Sequence, residues 1–481
     1  MNLRAAAFFL GRLVVLVGIA ELAPLLCSLF YREWPAVQAF GASATLAVAL
    51  GAALILYGSR GEAYRREGIL IVAGGWILAS ILGAIPYLMT ATISSPVDAL
   101  FESASGFTTT GSSILTEIES CGRGILFWRS FTQWLGGMGI IVLFVALLPE
   151  LGPGARFLYK MEVPGPSAEA LHPRIHDTAR ILWVIYLALT GLQTLLLMLA
   201  GMSLYDALTH TFSTLSTGGF SPYNASVAAF NSPLIEIIIA VFMFLAGANF
   251  SLYYRVWHNR GWNLFRDSEF KIYTVIALGA TAILTLDLIW RHTYRNLAEA
   301  SVDSLFQVLS VSTTTGFATA DFDAWPALSR IILVVLMFIG GCAGSTAGSM
   351  KVMRMVIGLK SALREVRLIF SPNAVLSVFV DGKRVPDTVV RSVAGFFILY
   401  ISIWALGALL LSIGGQDLVT TATASAVTLG NIGPGLGAVG PTANFAFFSA
   451  PAKLLMVLLM WIGRLEVYAI AALFTRVFWR P

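Results

Sequence analysis

The stretch Asp98–Ser113, DALFESASGFTTTGSS, lies between two long apolar runs and is itself too short and too polar to cross a bilayer. It recurs along the chain. Asp206–Ser221 reads DALTHTFSTLSTGGFS, and Asp303–Ala318 reads DSLFQVLSVSTTTGFA. A looser copy, TTATASAVTLGNIGPG, runs from Thr420 to Gly435, with its acid upstream at Asp417. In the first three copies an aspartate precedes a glycine by 13 residues; the glycines are Gly111, Gly219 and Gly316, and Gly433 matches them in the fourth. One Gly/Thr cluster is an ordinary loop or packing motif. Four at matched spacing, each between apolar runs, form a repeat. Irregular backbone at membrane depth is tolerated only where it is buried in protein or lines a watery cavity. Four such backbones facing one axis can replace a cation's hydration shell with carbonyl oxygens.

The rest of the chain agrees with a membrane setting. Of its 481 residues, 57% are hydrophobic and 12% charged, against about 25% charged in soluble domains. About 20 apolar residues span a bilayer. On that measure ten spans are expected, near 7–30, 37–57, 69–91, 124–149, 178–201, 232–256, 272–291, 327–349, 391–413 and 449–476. The first is read as an uncleaved span, because it is too long for a signal peptide, contains Glu21 and has no small-residue cleavage site.

The expected fold is an all-α polytopic membrane protein. Two leading helices (1–66) precede four units of helix, re-entrant pore loop and helix: 67–155, 156–260, 261–375 and 376–481. Two full spans per unit keep all units in one orientation, giving parallel repeats around an axis along the membrane normal. With the N-terminus cytoplasmic, most of the 31 Lys and Arg fall on the cytoplasmic side. The re-entrant segments then enter from outside. The 350–391 segment is expected to be the longest and most basic loop, carrying Lys351, Arg354, Lys360, Arg364, Arg367, Lys383 and Arg384. Anionic lipid contact and a docking face for a cytosolic partner are both open there. The net charge of +5 sits in short loops and does not indicate nucleic-acid binding.

Each re-entrant segment opens with a residue suited to helix capping: Asp98, Asp206, Asp303, and Asp417 or Thr420. A half-helix follows, ending at Thr, Ser, Asn or Gly, with its partly negative end toward mid-membrane. The chain then climbs back as the expected filter: Thr109-Thr110-Gly111, Thr217-Gly218-Gly219, Thr314-Thr315-Gly316 and Asn431-Ile432-Gly433. Glycine permits the dihedrals that aim successive carbonyls inward. The transported ion is expected at Thr110, Gly111, Gly218, Gly219, Thr315, Gly316, Ile432 and Gly433. These segments lack the carboxylate ring that divalent ions favour, so a monovalent cation is implied. Glu102 and His210 are expected behind the filter as support, and Glu21 and Asn249 as polar contacts between helices.

Enzyme chemistry finds no set of residues. Cys27, Cys121 and Cys342 form no disulfide framework or zinc spacing. The five histidines, His172, His176, His210, His258 and His292, are dispersed. No organic cofactor is expected. A transporter that couples its ion to H⁺ or Na⁺ would carry the same four loops and stays open beside a simple pore.

The pieces STGGFS (216–221), TTTGFATADFDAWP (313–326) and GNIGPGLG (430–437), within a whole-chain likeness, resemble the TrkH/TrkG potassium-transport family, part of the wider group with KtrB and the plant HKT transporters. The resemblance implies potassium (K⁺) uptake across the bacterial inner membrane, with both termini cytoplasmic. It implies a homodimer with one pore per subunit and a cytosolic nucleotide-binding ring of the TrkA type as regulatory partner. In that superfamily a serine at the first filter glycine goes with sodium transport; Gly111 stands there in this chain.

Two further features gain a role from the resemblance. GGCAGSTAGSMK (340–351) is a poor helix inside a membrane. The resemblance makes it an intramembrane gate loop beneath the filter, with Gly344, Ser345, Thr346, Ala347, Gly348 and Lys351; a small-residue packing surface is the alternative. It is not a phosphate-binding loop, because no lysine directly follows the second glycine. Arg464, in LLMVLLMWIGRLEVYAIAALF (454–474), is an intramembrane charge and hence a functional candidate. The resemblance turns it toward the ion path near the gate. The alternative is a structural pair with an acid such as Glu466, although two residues apart do not share a helix face.

Overall fold

A computed structural model of the chain describes residues 1–61, 64–139, 175–259 and 266–479. The expected repeat boundaries at 155/156 and 260/261, the far part of the span 124–149, and His172 lie outside the described residues. Among the described residues the chain is helical apart from one hairpin, in which Phe379–Val380 pairs antiparallel with Lys383–Arg384. Helices Leu3–Phe30, Trp34–Tyr57, Arg66–Met89, Asp177–Leu199, Ser268–Trp290 and Asp387–Ser412 are long and apolar enough to cross a membrane.

Polarity is distributed as a lipid solvent demands. Leu56, Leu199, Val275 and Ile398 are exposed on the outside, while Thr108, Ser310 and Thr428 are buried at the centre and donate to carbonyls there. Hydroxyls inside a membrane need partners, and only the interior supplies them. The two leading helices cross at glycines: a Cβ on Gly11 would meet the Gly51 carbonyl at 2.6 Å, so the absent side chains allow the backbones to touch. Glu21, buried between these helices, accepts from Ser43 Oγ at 3.0 Å.

The four re-entrant helices are Pro96–Phe107, Leu204–Leu215, Leu297–Ser312 and Leu418–Gly430. Three start earlier than expected, and their caps are not the aspartates. Ser95 and Ser203 accept from the backbone N–H of Asp98 and Asp206, which places both acids in the first turn. There they still favour the positive helix end. Asn296 caps the third helix, and Asp303 lies inside it, accepting from Tyr294 Oη and Thr319 Oγ1, each at 2.8 Å. Only Asp417 caps as expected, accepting from Val419 N and Thr420 N.

The helix after each re-entrant segment stops short. These helices are Arg123–Gly137, Pro233–Ala246, Ala327–Ile339 and Ala450–Arg464. The expected continuous span 232–256 turns by 92° between Ala246 and Phe250, and 449–476 turns by 109° between Arg464 and Glu466. At the first turn Gly247 ends one helix and Asn249 Oδ1 accepts from Ser251 N to start the next. At the second, Glu466 takes φ +55°. The expected span 327–349 ends at Ile339, where Gly340 takes φ +74°. The basic 350–391 segment opens with a helix, Val352–Phe370, rather than being loop throughout. Its Val352, Val356 and Ile357 are buried; this helical apolar spacing is masked in the sequence by the basic residues between.

Candidate functional site

The four re-entrant helices end in one shared way. Thr110, Gly218, Thr315 and Ile432 each donate their backbone N–H to the carbonyl five residues back, on Ser105, Ser213, Ser310 and Val427, at 2.8–2.9 Å. The preceding residues, Thr109, Thr217, Thr314 and Asn431, take left-handed φ of +56°, +54°, +60° and +53°. This is the Schellman ending, usually built with glycine. A β-branched residue at positive φ is a genuine outlier, and three threonines share it here. Strain repeated at equivalent positions points to function. One residue past Thr110, Gly218, Thr315 and Ile432, which hold the ring position, Gly111, Gly219, Gly316 and Gly433 take φ of +82°, +76°, +84° and +107°.

These glycines close a ring. A Cβ on Gly111 would overlap the carbonyl oxygen of Gly218, one on Gly219 that of Thr315, and one on Gly316 that of Ile432. Gly433 returns to the start, with a Cβ falling 3.1 Å from the Thr110 oxygen. Each repeat therefore presents one carbonyl to the glycine of the repeat before it. All four glycines line a cavity of about 150 Å³ on the face where the re-entrant helices begin. A cavity of about 60 Å³, room for a few water molecules, lies on the other side, lined in part by Asn431, Gly344, Gly348 and Arg464.

Residues 340–351 lie across that other side and touch every re-entrant helix end, directly or through Arg464. Thr346 Oγ1 donates to the carbonyl of Leu215, the last residue of the second re-entrant helix, at 3.0 Å. Gly348 N donates to Thr314 Oγ1 at 2.7 Å, and a Cβ on Gly348 would overlap the Gly430 carbonyl. Arg464 donates to Thr346 O at 3.2 Å, to Thr109 Oγ1 at 3.4 Å, to Gly137 O at 2.8 Å and to Gly136 O. Lys351, buried and at φ +72°, donates from Nζ to Ala347 O. Ser345 folds onto Cys342 O, and Ala347 is buried. Glu269 holds both ends of the loop: one carboxylate oxygen accepts from Ala343 N at 2.7 Å and Met353 N at 2.9 Å. Glu466 pairs with Arg354 at 2.5 Å, so the acid considered for Arg464 is bound to a different guanidinium.

Comparison with known proteins decides the family. Residues 37–479 match the TrkH family of cation transport proteins. The chain belongs to that family. It is 39% identical over 487 residues to the Trk system potassium uptake protein TrkH of Halomonas elongata, and 38% identical over 485 residues to that of Escherichia coli K12, covering both chains fully. It is 37% identical to the Trk system potassium uptake protein TrkG of Escherichia coli K12, with 100% of this chain and 99% of the other covered. Among solved structures, the potassium transporter TrkH from Vibrio parahaemolyticus superposes with a TM-score of 0.90 at 37% identity, both chains fully covered. The multi-pass, all-helical fold with four pore-loop repeats is thus that of a TrkH-family protein.

Behind the ring of this TrkH-family chain lie polar struts. Glu102 and Arg129 form a fully buried ion pair at 2.8 Å. Glu102 also accepts from Ser113 Oγ and Ile114 N, and Arg129 donates to the Ser221 carbonyl and Ser113 Oγ. His210 Nε2 meets Ser221 Oγ at 3.1 Å in the second repeat. Ser310 Oγ donates to Phe317 O in the third, and Thr423 Oγ1 accepts from Leu436 N in the fourth. Glu102 and His210 thus brace the returning strand as expected. Arg129 and Gln133 escaped the sequence reading. Their signal was two strongly polar residues four apart, Arg129 and Gln133, within the expected span 124–149.

Proposed function

We propose that this chain conducts potassium ions into the cell through one pore per subunit, along the axis of the four-glycine ring. The closed cycle of glycine against neighbouring carbonyl carries this reading. It sets four backbone oxygens around one axis, between two cavities, at the confluence of four negative helix ends. The filter is Thr109–Gly111, Thr217–Gly219, Thr314–Gly316 and Asn431–Gly433, and the units 67–155, 156–260, 261–375 and 376–481 each supply one quarter. Residues 340–351 and Arg464 form the gate. Relatives named for Trk system potassium uptake support the ion assignment.

The setting follows from the same reading: a bacterial inner membrane, both termini cytoplasmic, two copies side by side, and a TrkA-type nucleotide-binding ring against the basic face around Val352–Phe370. Rubidium uptake into proteoliposomes holding the purified full-length protein tests it. Uptake should be competed by potassium far better than by sodium. It should follow the electrical gradient, and a reversal potential that moves with an imposed pH gradient would overturn the uncoupled pore. Equal competition by both ions would overturn the filter.

A further inference from the structure

We infer that Gln133 is a specificity-determining residue of the pore, which holds the Gly218 carbonyl of the ring in place from a neighbouring helix. The inference rests on the ring being the filter. At the ring position repeats 1 and 3 carry Thr110 and Thr315. Their hydroxyls are tied to Thr108 and Thr313, two residues back, at 2.8 and 2.7 Å. Repeat 4 carries Ile432, whose side chain is wholly buried. Repeat 2 carries Gly218, with no side chain to tie.

Gln133 fills that gap. It lies on the helix Arg123–Gly137 of repeat 1 and is fully buried. A Cβ on Gly218 would fall 2.6 Å from its Oε1 and 2.8 Å from its Nε2, so the amide stands in the space a side chain at 218 would need. Nε2 donates to the Gly218 carbonyl at 2.7 Å, and Oε1 accepts from Phe220 N at 3.0 Å. The amide therefore straddles Gly219. A primary amide has a donor and an acceptor side by side for both bonds. A carbonyl oxygen has two lone pairs, and one hydrogen bond leaves the other for an ion. Tethered in this way, the Gly218 oxygen resists moving inward onto a smaller cation. Gln133 is thus a positioning residue, acting on the ion through Gly218.

Four variants of the full-length protein test this by competition of sodium against rubidium uptake in proteoliposomes, with thermal stability measured alongside. Gln133→Met keeps the length of the side chain but loses both bonds. Gln133→Leu loses both. Each should lower discrimination against sodium about fivefold or more, the order expected for one hydrogen bond. In the double variant Gln133→Ala/Gly218→Thr, the vacated space receives a threonine as in repeats 1 and 3, and discrimination should recover relative to Gln133→Ala alone. A folded Gln133→Met or Gln133→Leu with the wild-type ratio overturns the inference. So does a double variant no more selective than Gln133→Ala. A wild-type protein that does not discriminate at all refutes the filter reading itself, a distinct result.

Discussion

Gly111→Ser tests the ring most directly. Two costs arise at once. Gly111 holds φ +82°, and a side chain in the left-handed region costs roughly 1–2 kcal/mol. The new Cβ would also overlap the Gly218 oxygen. Backbone on both sides leaves no flexible side chain to yield, so one ring carbonyl must move by something on the order of 1 Å in a close-packed interior. A hydrogen bond to a charged group contributes about 1.5–3 kcal/mol, and we take a displaced ion ligand to lose a comparable amount. Discrimination between potassium and sodium should then fall roughly tenfold to a hundredfold, because each 1.4 kcal/mol is a factor of ten.

Gly433→Ser is the internal control. Its Cβ would sit 3.1 Å from Thr110 O, a tight contact a small shift can relieve, although φ is +107°. Its loss of selectivity should be several-fold smaller. The assay is competition of sodium against rubidium uptake in proteoliposomes, with melting temperature measured on the same preparations. A folded Gly111→Ser with wild-type competition removes this glycine from the filter. A larger effect at Gly433 than at Gly111 refutes the contact order from which the magnitudes are worked.

Shortening residues 341–350 by a few positions should raise basal flux without a cytosolic partner; a folded deletion with wild-type flux would make the segment a packing element. Glu269→Ala removes the acceptor for Ala343 N and Met353 N, leaving one buried and one half-buried donor unpaired. This should destabilise the closed loop by about 2 kcal/mol and raise basal flux tenfold or more. Glu269→Gln keeps an acceptor oxygen and should stay within a few-fold of wild type, so equal flux in both variants would dismiss Glu269 as the loop's anchor. Arg464→Ala should raise conductance while leaving the sodium-to-rubidium ratio nearly unchanged; normal flux with a large loss of thermal stability would assign it a purely structural role.

How much of this was legible depended on whether a residue's role is local. Repeats built from an aspartate, a half-helix and a glycine are local, and the chain displays them openly. Gly111, Gly219, Gly316 and Gly433 stand out because their backbone geometry needs no partner to be recognised. The caps were misplaced because Ser95 and Ser203 stand three residues before the more conspicuous Asp98 and Asp206, and a cap is defined by which N–H it accepts. The sharp turns after Ala246 and Arg464 were hidden because hydropathy continues through them. Gly247 and Gly463 alone do not break a membrane helix, since tertiary contacts decide whether a glycine bends the chain. The roles of Arg129 and Gln133 could not be read for a third reason, although their polarity was visible. Their partners, Glu102 and Gly218, lie 27 and 85 residues away, and only the closure of the ring brings them together.

That closure also accounts for the place of Arg464. Four helix C-termini, each carrying about half a negative charge, make the centre of the fold favourable for a cation whether or not an ion is present. A guanidinium stays protonated even at such a depth, and Arg464 meets carbonyls of the loop and of Arg123–Gly137 just beneath Thr109. The same helix ends that would hold potassium therefore help to hold the arginine. If the ring is the filter as proposed, an ion leaving it approaches a fixed positive charge, and two unit charges about 6 Å apart at an effective dielectric near 20 repel by roughly 3 kcal/mol. Movement of the 340–351 loop would withdraw Thr346 O, one of the acceptors that fix the guanidinium. On this reading the loop and the arginine are one gate: the loop obstructs the path sterically and orients the charge that obstructs it electrostatically. Displacing the first should then weaken the second, so shortening the loop and Arg464→Ala should combine to less than the sum of their separate effects.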